Sequence, residues 1–439
     1  MKSLLKHFKG DGLRAQLLKG AGGSAGLQGI NFLLALFSSV LLARNLGPEN
    51  YGIYAFVLSA ITVLSLPSKA GLPTLLIRET AKNQLHEKWG LMRGLLMLSS
   101  KWALGYSILA IGLATIAVLW FSGAELDYQD QAFLWALWLL PLIGLEAVRS
   151  GTLRGLRCVA RAQVPELFIR PMAIIVLVGG TLLLGAELTS LMAIQFNLVG
   201  AFAAFLLGTY FLSRTFPESA AKAKPIYTVK PWLASFFPLS LFVGLRMLDS
   251  QMSILLLGLL GTNEEVGLFR VAATGATLVA FGLVAVNIAM APHIARLYSA
   301  GEMKSLQSII LMSTRAVAAL SFLVAFVFFV WGEEIIALVF GEEYKAAWMA
   351  LVVLCLGQLI NVCAGPVGQV LNMTGNDKST IIGASLALVA NLILAVMLIP
   401  LFGLTGAAVG YSISMAILNI VLLVMVKKKV GINMFLFAR

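Results

Sequence analysis

Arg246 and Asp249 stand three residues apart in the middle of an apolar run that reaches from Trp232 to Leu260. At a helical rise of about 1.5 Å per residue, Arg246 lies about 21 Å from Trp232 and Asp249 about 16 Å from Leu260. A spacing of three puts both on one helix face, able to pair. Charge at such depth costs about 2.5–3.5 kcal/mol per group on insertion scales. The two therefore either pin helices together as a buried ion pair or line a cavity, where they would touch a charged ligand or a coupling ion. Lys69 is a second cation inside an apolar run, flanked by Pro67 and Gly71. Those neighbours should break the helix, and a broken helix is tolerated where its backbone lines a cavity. Arg270 sits just inside the end of the following apolar run. Glu146 and Arg149 are again three apart, and Arg170 stands four residues after Glu166. Glu146 and Arg149 read as an internal pair as readily as a site, and Arg44, Arg170, Arg270 and Arg315 are close enough to span ends to snorkel.

Uncharged polar residues add a second pattern. Gln358, Asn361, Gly365, Gln369 and Asn372 recur at helical spacing and predict one helix face; Gln28 and Asn31 repeat the theme less regularly near the start of the chain. Such stripes either glue helices together or line a polar cavity. Nothing here points to catalysis. The three cysteines and three histidines are scattered, so neither a metal site nor a disulfide framework is expected. The run Gly375–Thr380 is too short to be a phosphate loop, and no GxxxxGK[ST] motif is present, so the chain is not expected to hydrolyse ATP.

The elements that must hold these residues are membrane spans. Of 439 residues, 59% are hydrophobic and 12% charged, too few charges to cover a water-soluble surface. Twelve stretches of about 20 residues are long enough to cross a bilayer, roughly 24–43, 52–77, 96–121, 131–149, 167–186, 189–212, 234–260, 266–292, 308–331, 346–371, 380–400 and 405–426. Connections on one side collect bases, among them Arg78, Lys88, Arg93, Arg154, Arg157, Arg161, Lys222, Lys224 and Lys427 to Lys429. The other side collects acids, among them Glu49, Glu125, Asp127, Glu264, Glu333 and Glu343. By the positive-inside rule both termini are cytoplasmic, and the net charge of +12 is topological rather than a nucleic-acid footprint. The first 20 residues are basic and partly amphipathic, a surface-lying helix rather than a cleaved signal.

The chain also repeats itself. Leu46-Gly47-Pro48-Glu49-Asn50-Tyr51-Gly52 returns as Leu260-Gly261-Thr262-Asn263-Glu264-Glu265-Val266-Gly267, and a weaker echo links Gly151 with Gly368. Two related halves predict a transporter built from internal repeats. The expected fold is an all-α integral membrane protein with twelve transmembrane helices in two pseudo-symmetric six-helix lobes around a central cavity. The lobes are residues 1–213 and 232–439, joined by a polar cytoplasmic linker at 214–231.

The stretch Ala43 to Gly52, followed by Gly71-Leu72 and Arg78, resembles the polysaccharide-export flippases, including the bacterial O-antigen flippases, of the multidrug/oligosaccharidyl-lipid/polysaccharide exporter superfamily. The resemblance continues through Asp249, Leu260-Gly261, Val266 to Phe269, Gly375-Asn376 and Phe402 to Ala408, and covers nearly the whole chain. It implies alternating access in the bacterial cytoplasmic (inner) membrane, carrying an undecaprenyl-diphosphate-linked oligosaccharide from the inner to the outer leaflet for surface polysaccharide. It also implies membrane lipids, a polysaccharide polymerase and chain-length machinery as partners. Lys69, Arg246 and Arg270 are then the cations available to a diphosphate. Gln28, Asn31, Gln358, Asn361 and Gln369 are the polar groups available to sugar hydroxyls. Asp249 is the residue through which a proton or sodium gradient, or the membrane potential, could be coupled. No cofactor is expected. Two other functions are weighed against this one: a cation-coupled drug antiporter of the same superfamily, which would want acids rather than bases in its cavity, and a membrane-embedded polymerase or ligase, which would want a large outer loop.

Overall fold

The computed structural model describes residues 13–122 and 126–434. The first twelve residues of the amphipathic N-terminal stretch, and Glu125 of the outer acidic loop, lie outside them. Every long element among the described residues is helical. In chain order they are α1 (Leu13–Leu64), α2 (Leu66–Lys69), α3 (Leu72–Leu85), α4 (Trp89–Ser122), α5 (Tyr128–Leu137), α6 (Leu139–Gly155) and α7 (Val159–Val164). A π-turn (Pro165–Ile169) then leads to α8 (Arg170–Leu183), α9 (Ser190–Thr215), α10 (Glu218–Lys222), α11 (Val229–Leu260), α12 (Asn263–Ser299) and α13 (Met303–Phe340). A 3₁₀ turn (Glu342–Ala347) precedes α14 (Trp348–Ala364), α15 (Val367–Met373) and α16 (Asp377–Lys429).

Ten of the described helical stretches are long and apolar enough to cross a membrane, where the sequence predicts twelve spans. The difference lies in α1 and α16, each of which contains a non-helical glycine, Gly47 at φ 71° and Gly403 at φ 51°. At both the chain reverses. Ser39 and Tyr51 share a 2.7 Å hydrogen bond across Gly47, whereas twelve residues of straight helix would hold them about 18 Å apart. Across Gly403, Ser414 donates to the Ala387 carbonyl at 2.7 Å. Other expected bounds shift as well. The span at 131–149 is two helices, α5 and α6, and the span at 346–371 ends at Ala364.

The chain divides into two compact units, Met1–Ser38 with Leu64–Val243, and Ser39–Val63 with Gly244–Arg439. These do not follow the two sequence halves, because the first glycine motif packs with the second unit and the polar linker with the first. In the first unit α3, α4 and α6 share a core of Leu72, Leu75, Leu76, Leu95, Ala103 and Val148. The linker is strapped onto that unit: Ile226 N–H donates to the Gly90 carbonyl at 2.9 Å, and Arg93 donates to the Ala223 carbonyl at 2.7 Å.

The break expected at Pro67 and Gly71 is present. Gly71 is left-handed, at φ 76°, and an added Cβ would stand 2.7 Å from the Ser240 backbone nitrogen. Carbonyls freed by a broken helix need other donors where water is scarce. Here Tyr106 donates to Leu64 O at 2.8 Å, Trp102 to Pro67 O at 3.0 Å and Ser240 to Ala70 O at 2.7 Å. Tyr106→Phe strands the Leu64 carbonyl, and thermal unfolding of the solubilised protein is expected to show a loss of about 1–3 kcal/mol.

In the second unit the two copies of the repeated motif meet each other. An added Cβ on Gly52 would run into the Asn263 carbonyl, and one on Gly267 into the Pro48 carbonyl. The same Cβ positions lie 3.0 Å from Gly267 N and 3.1 Å from Gly52 N. The repeat is thus a reciprocal helix crossing in which each glycine admits the other's backbone. Tyr51 is buried edge-on against Tyr344, whose hydroxyl donates to the Ala43 carbonyl at 2.9 Å. The Glu265 carboxylate bonds two turns at once, accepting from Thr262 N–H and from Leu404 N–H, each at 3.1 Å. That second bond fixes the reversal at Gly403. Elsewhere in this unit the last described residues fold back, with Ile432 and Met434 buried in a core with Leu306, Ile310, Val370 and Val426.

Candidate substrate and coupling sites

The break between α1 and α3 decides where Lys69 goes. As the last residue of the one-turn α2, it reaches the π-turn, where Lys69 Nζ lies 3.9 Å from Glu166 Oε1, each side chain one-third exposed. The π-turn begins at Pro165, whose missing N–H spoils the helical ladder there. Behind this pair lies a buried one: Arg149 Nη2 stands 3.8 Å from Glu146 Oε1. Arg149 also donates to the Phe205 carbonyl at 2.8 Å and lies 5.8 Å over the Phe205 ring. Gly208 makes room for the guanidinium, since any Cβ there would overlap it. Arg170 grips the Asn197 amide oxygen with Nε at 3.1 Å and Nη2 at 2.6 Å. Four helices and the π-turn of the first unit thus converge on one charged cluster.

In the second unit Asp249 is not paired with Arg246 as the spacing suggested. No ion pair joins the two among the described residues. Asp249 Oδ1 instead accepts from Asn391 Nδ2 at 3.1 Å and stands 3.4 Å from Ser414 Oγ. Ser253 Oγ donates to Asn391 Oδ1 at 3.3 Å. The reason is that α16 brings a fully buried amide and a hydroxyl to the inner side of α11, where they satisfy the carboxylate better than an arginine one turn away. Arg246 stays exposed, as does Arg270 on α12. The gathered oxygens of Asp249, Asn391, Ser253 and Ser414 are the ligand type that protons and hard cations prefer.

The residues match the polysaccharide biosynthesis protein family over positions 17–298. The chain belongs to that family. The chain also matches the MatE family over 238–397. It is 26% identical over 395 residues to the probable low-salt glycan biosynthesis flippase Agl15 of Haloferax volcanii, covering 89% of this chain and 78% of that one. Among solved structures it resembles an inward-facing multidrug resistance MATE family transporter of the MOP superfamily, with TM-score 0.73, 16% identity and coverage of 91% and 94%. The lipid II flippase MurJ in an inward closed conformation gives TM-score 0.70 at 14% identity, covering 92% and 87%. A MOP superfamily transporter from Pyrococcus furiosus, whose binding pocket is described as reversed in polarity, gives 0.65 at 16% identity, covering 97% and 98%. The chain is a multi-pass membrane protein by its long apolar helices, and it shares the fold of these solved transporters and flippases.

A second expectation about the site also needs correction. The polar stripe predicted at 358–372 is not one helix face: α14 stops at Ala364, and Gly365 turns to φ 72°. That turn presses Gly365 on Thr314, whose Oγ1 would sit 2.5 Å from an added Cβ. Gln358 and Asn361 bond each other at 3.3 Å on α14, while Gln369 belongs to α15 and Asn372 accepts from Thr380 at 3.1 Å. Gln28 and Asn31 are half-buried on the first arm of α1. Sequence reasoning missed Glu166 as the partner of Lys69, and Asn391 and Ser414 as those of Asp249. A lone asparagine in the middle of an apolar run was the available signal for Asn391.

Proposed function

We propose that this protein flips an undecaprenyl-diphosphate-linked oligosaccharide from the inner to the outer leaflet of the bacterial cytoplasmic membrane, with both termini cytoplasmic. The observation that carries the reading is the exposure of Arg246 in the middle of an apolar helix with no carboxylate paired to it among the described residues. Facing lipid, a guanidinium there costs about 2.5–3.5 kcal/mol; facing a water-filled cavity it is a ready partner for a diphosphate. Arg270 and Lys69 add to the same sign, as expected for an anionic cargo and unlike the acid-rich cavity a cationic drug would need. The glycan flippase relative agrees with this cargo class. Sugar hydroxyls would find amides in Gln28, Asn31, Gln358, Asn361 and Gln369, while the lipid tail stays in the bilayer. With the cell interior negative, outward movement of an anion is favoured by about 2.3 kcal/mol per charge per 100 mV. The oxygen cluster at Asp249 supports a contribution from a proton or sodium gradient. A polymerase and chain-length machinery would act on the flipped product.

The test is complementation of a deletion strain by Arg246→Ala. At normal membrane levels of the variant, surface polymer is expected to fall at least tenfold while lipid-linked oligosaccharide accumulates on the inner leaflet. Undiminished polymer with no accumulation would refute the reading.

A further inference from the structure

The strap that leads from α10 into α11 is seated on the first unit by its main chain. An added Cβ on Gly90 would stand 2.7 Å from the Lys224 carbonyl oxygen, and one on Gly94 would overlap the Ile226 carbonyl. These two glycines lie one turn apart on α4, so together they open a groove for the strap's backbone. With the bonds from Ile226 N–H to Gly90 and from Arg93 to Ala223, the groove holds Lys224 beside the start of α4.

Between strap and helix lies a cavity of about 660 Å³. Lys88 and Lys224 line it, with Trp89, Leu91 and Ile226 as apolar walls and one acid, Glu87. Two cations against one exposed carboxylate leave it positive, and the first turn of α4 adds amides that no carbonyl of the helix can reach. Lys222 is paired with Glu218 at 3.2 Å. Lys88, Lys224 and Lys230 form no ion pair with a described residue. The strap around them is apolar on its open side: Ile226, Tyr227, Val229 and Leu233 are all exposed, Ile226 at 55% and Leu233 at 56%. In water such a stretch is unfavourable. At a bilayer surface its apolar side chains sit among the headgroups, and the lysines between them meet phosphates. Trp89, at the start of the spanning helix α4, is a residue type enriched at that boundary.

We infer that this cavity binds the headgroup of an anionic phospholipid, its phosphate held between Lys88 and Lys224 and its glycerol backbone against Trp89, Leu91 and Ile226. A free phosphate would leave those apolar walls bare, and a zwitterionic headgroup would bring an ammonium to a cavity that is already positive. The bound lipid adds a third tie between strap and α4 and holds the linker at the membrane surface. The site uses none of the cations proposed for the cargo.

The experiment is native mass spectrometry of the purified full chain, delipidated in detergent and titrated with dioleoylphosphatidylglycerol or dioleoylphosphatidylethanolamine. The wild type is expected to retain phosphatidylglycerol about tenfold more tightly than phosphatidylethanolamine. Lys88→Gln combined with Lys224→Gln is expected to lose that preference. Lys427→Gln combined with Lys428→Gln removes the same charge from exposed positions outside the cavity and is expected to keep it. Equal loss in both double variants would reduce the effect to general surface charge and overturn the site. Retention of both lipids equally by the wild type, or of neither, would overturn it too. Displacement of phosphatidylglycerol by an equal concentration of inorganic phosphate would overturn the lipid as occupant.

Discussion

Gly52→Leu will leave little folded protein, and Gly267→Leu will do the same. In most cores an added side chain is absorbed by neighbouring rotamers at a cost of about 1–3 kcal/mol. Here what stands in the way is main chain, the Asn263 carbonyl for Gly52 and the Pro48 carbonyl for Gly267. Backbone cannot rotate aside, so the helices must part. Parting them exposes Tyr51 and Tyr344, both nearly fully buried, and pulls Tyr344 from the Ala43 carbonyl. The measurement is the monodisperse fraction on gel filtration and the unfolding temperature in detergent. Gly105→Ala and Gly112→Ala are the controls. An added Cβ meets nothing within 4 Å at either position on α4, so alanine should be neutral or stabilise by up to about 1 kcal/mol. Equal behaviour of the two sets would disprove the crossing.

Arg149→Met is expected to cost about 3–5 kcal/mol, the range for removing one member of a buried ion pair. The side chain it replaces is the charge nearest Glu146, the donor to Phe205 O and a cation over the Phe205 ring. Most of the loss should come from leaving the carboxyls short of a cation rather than from lost packing, since methionine fills much of the same volume. Two further variants separate the contributions. Glu146→Gln combined with Arg149→Met should cost less than the sum of the single changes, because the stranded charge is removed as well. Strict additivity of the two, read from thermal unfolding, would mean that Glu146 and Arg149 do not interact.

How much was legible in advance follows the range of each interaction. The break around Lys69 was readable because proline and glycine act on their own backbone, and Gly71 is found left-handed. The reversals at Gly47 and Gly403 were readable as gaps between apolar runs for the same reason. The stripe at 358–372 misled because helical spacing was continued through Gly365, a residue able to leave the helix, and it does. The Arg246–Asp249 pair misled differently: the spacing was right, but the carboxylate found better donors 142 and 165 residues further along the chain.

By itself, then, the sequence determined the solvent, the helical class, the places where helices break and the two glycine motifs, since these depend on apolar content and on local backbone freedom. The tertiary structure alone decided that the two motifs are each other's partners, that Lys69 is held by Glu166, and that Asp249 belongs to Asn391 and Ser414. In a bilayer a polar group is held by whichever donor or acceptor the folded chain brings to it, and chain separation carries no information about that choice.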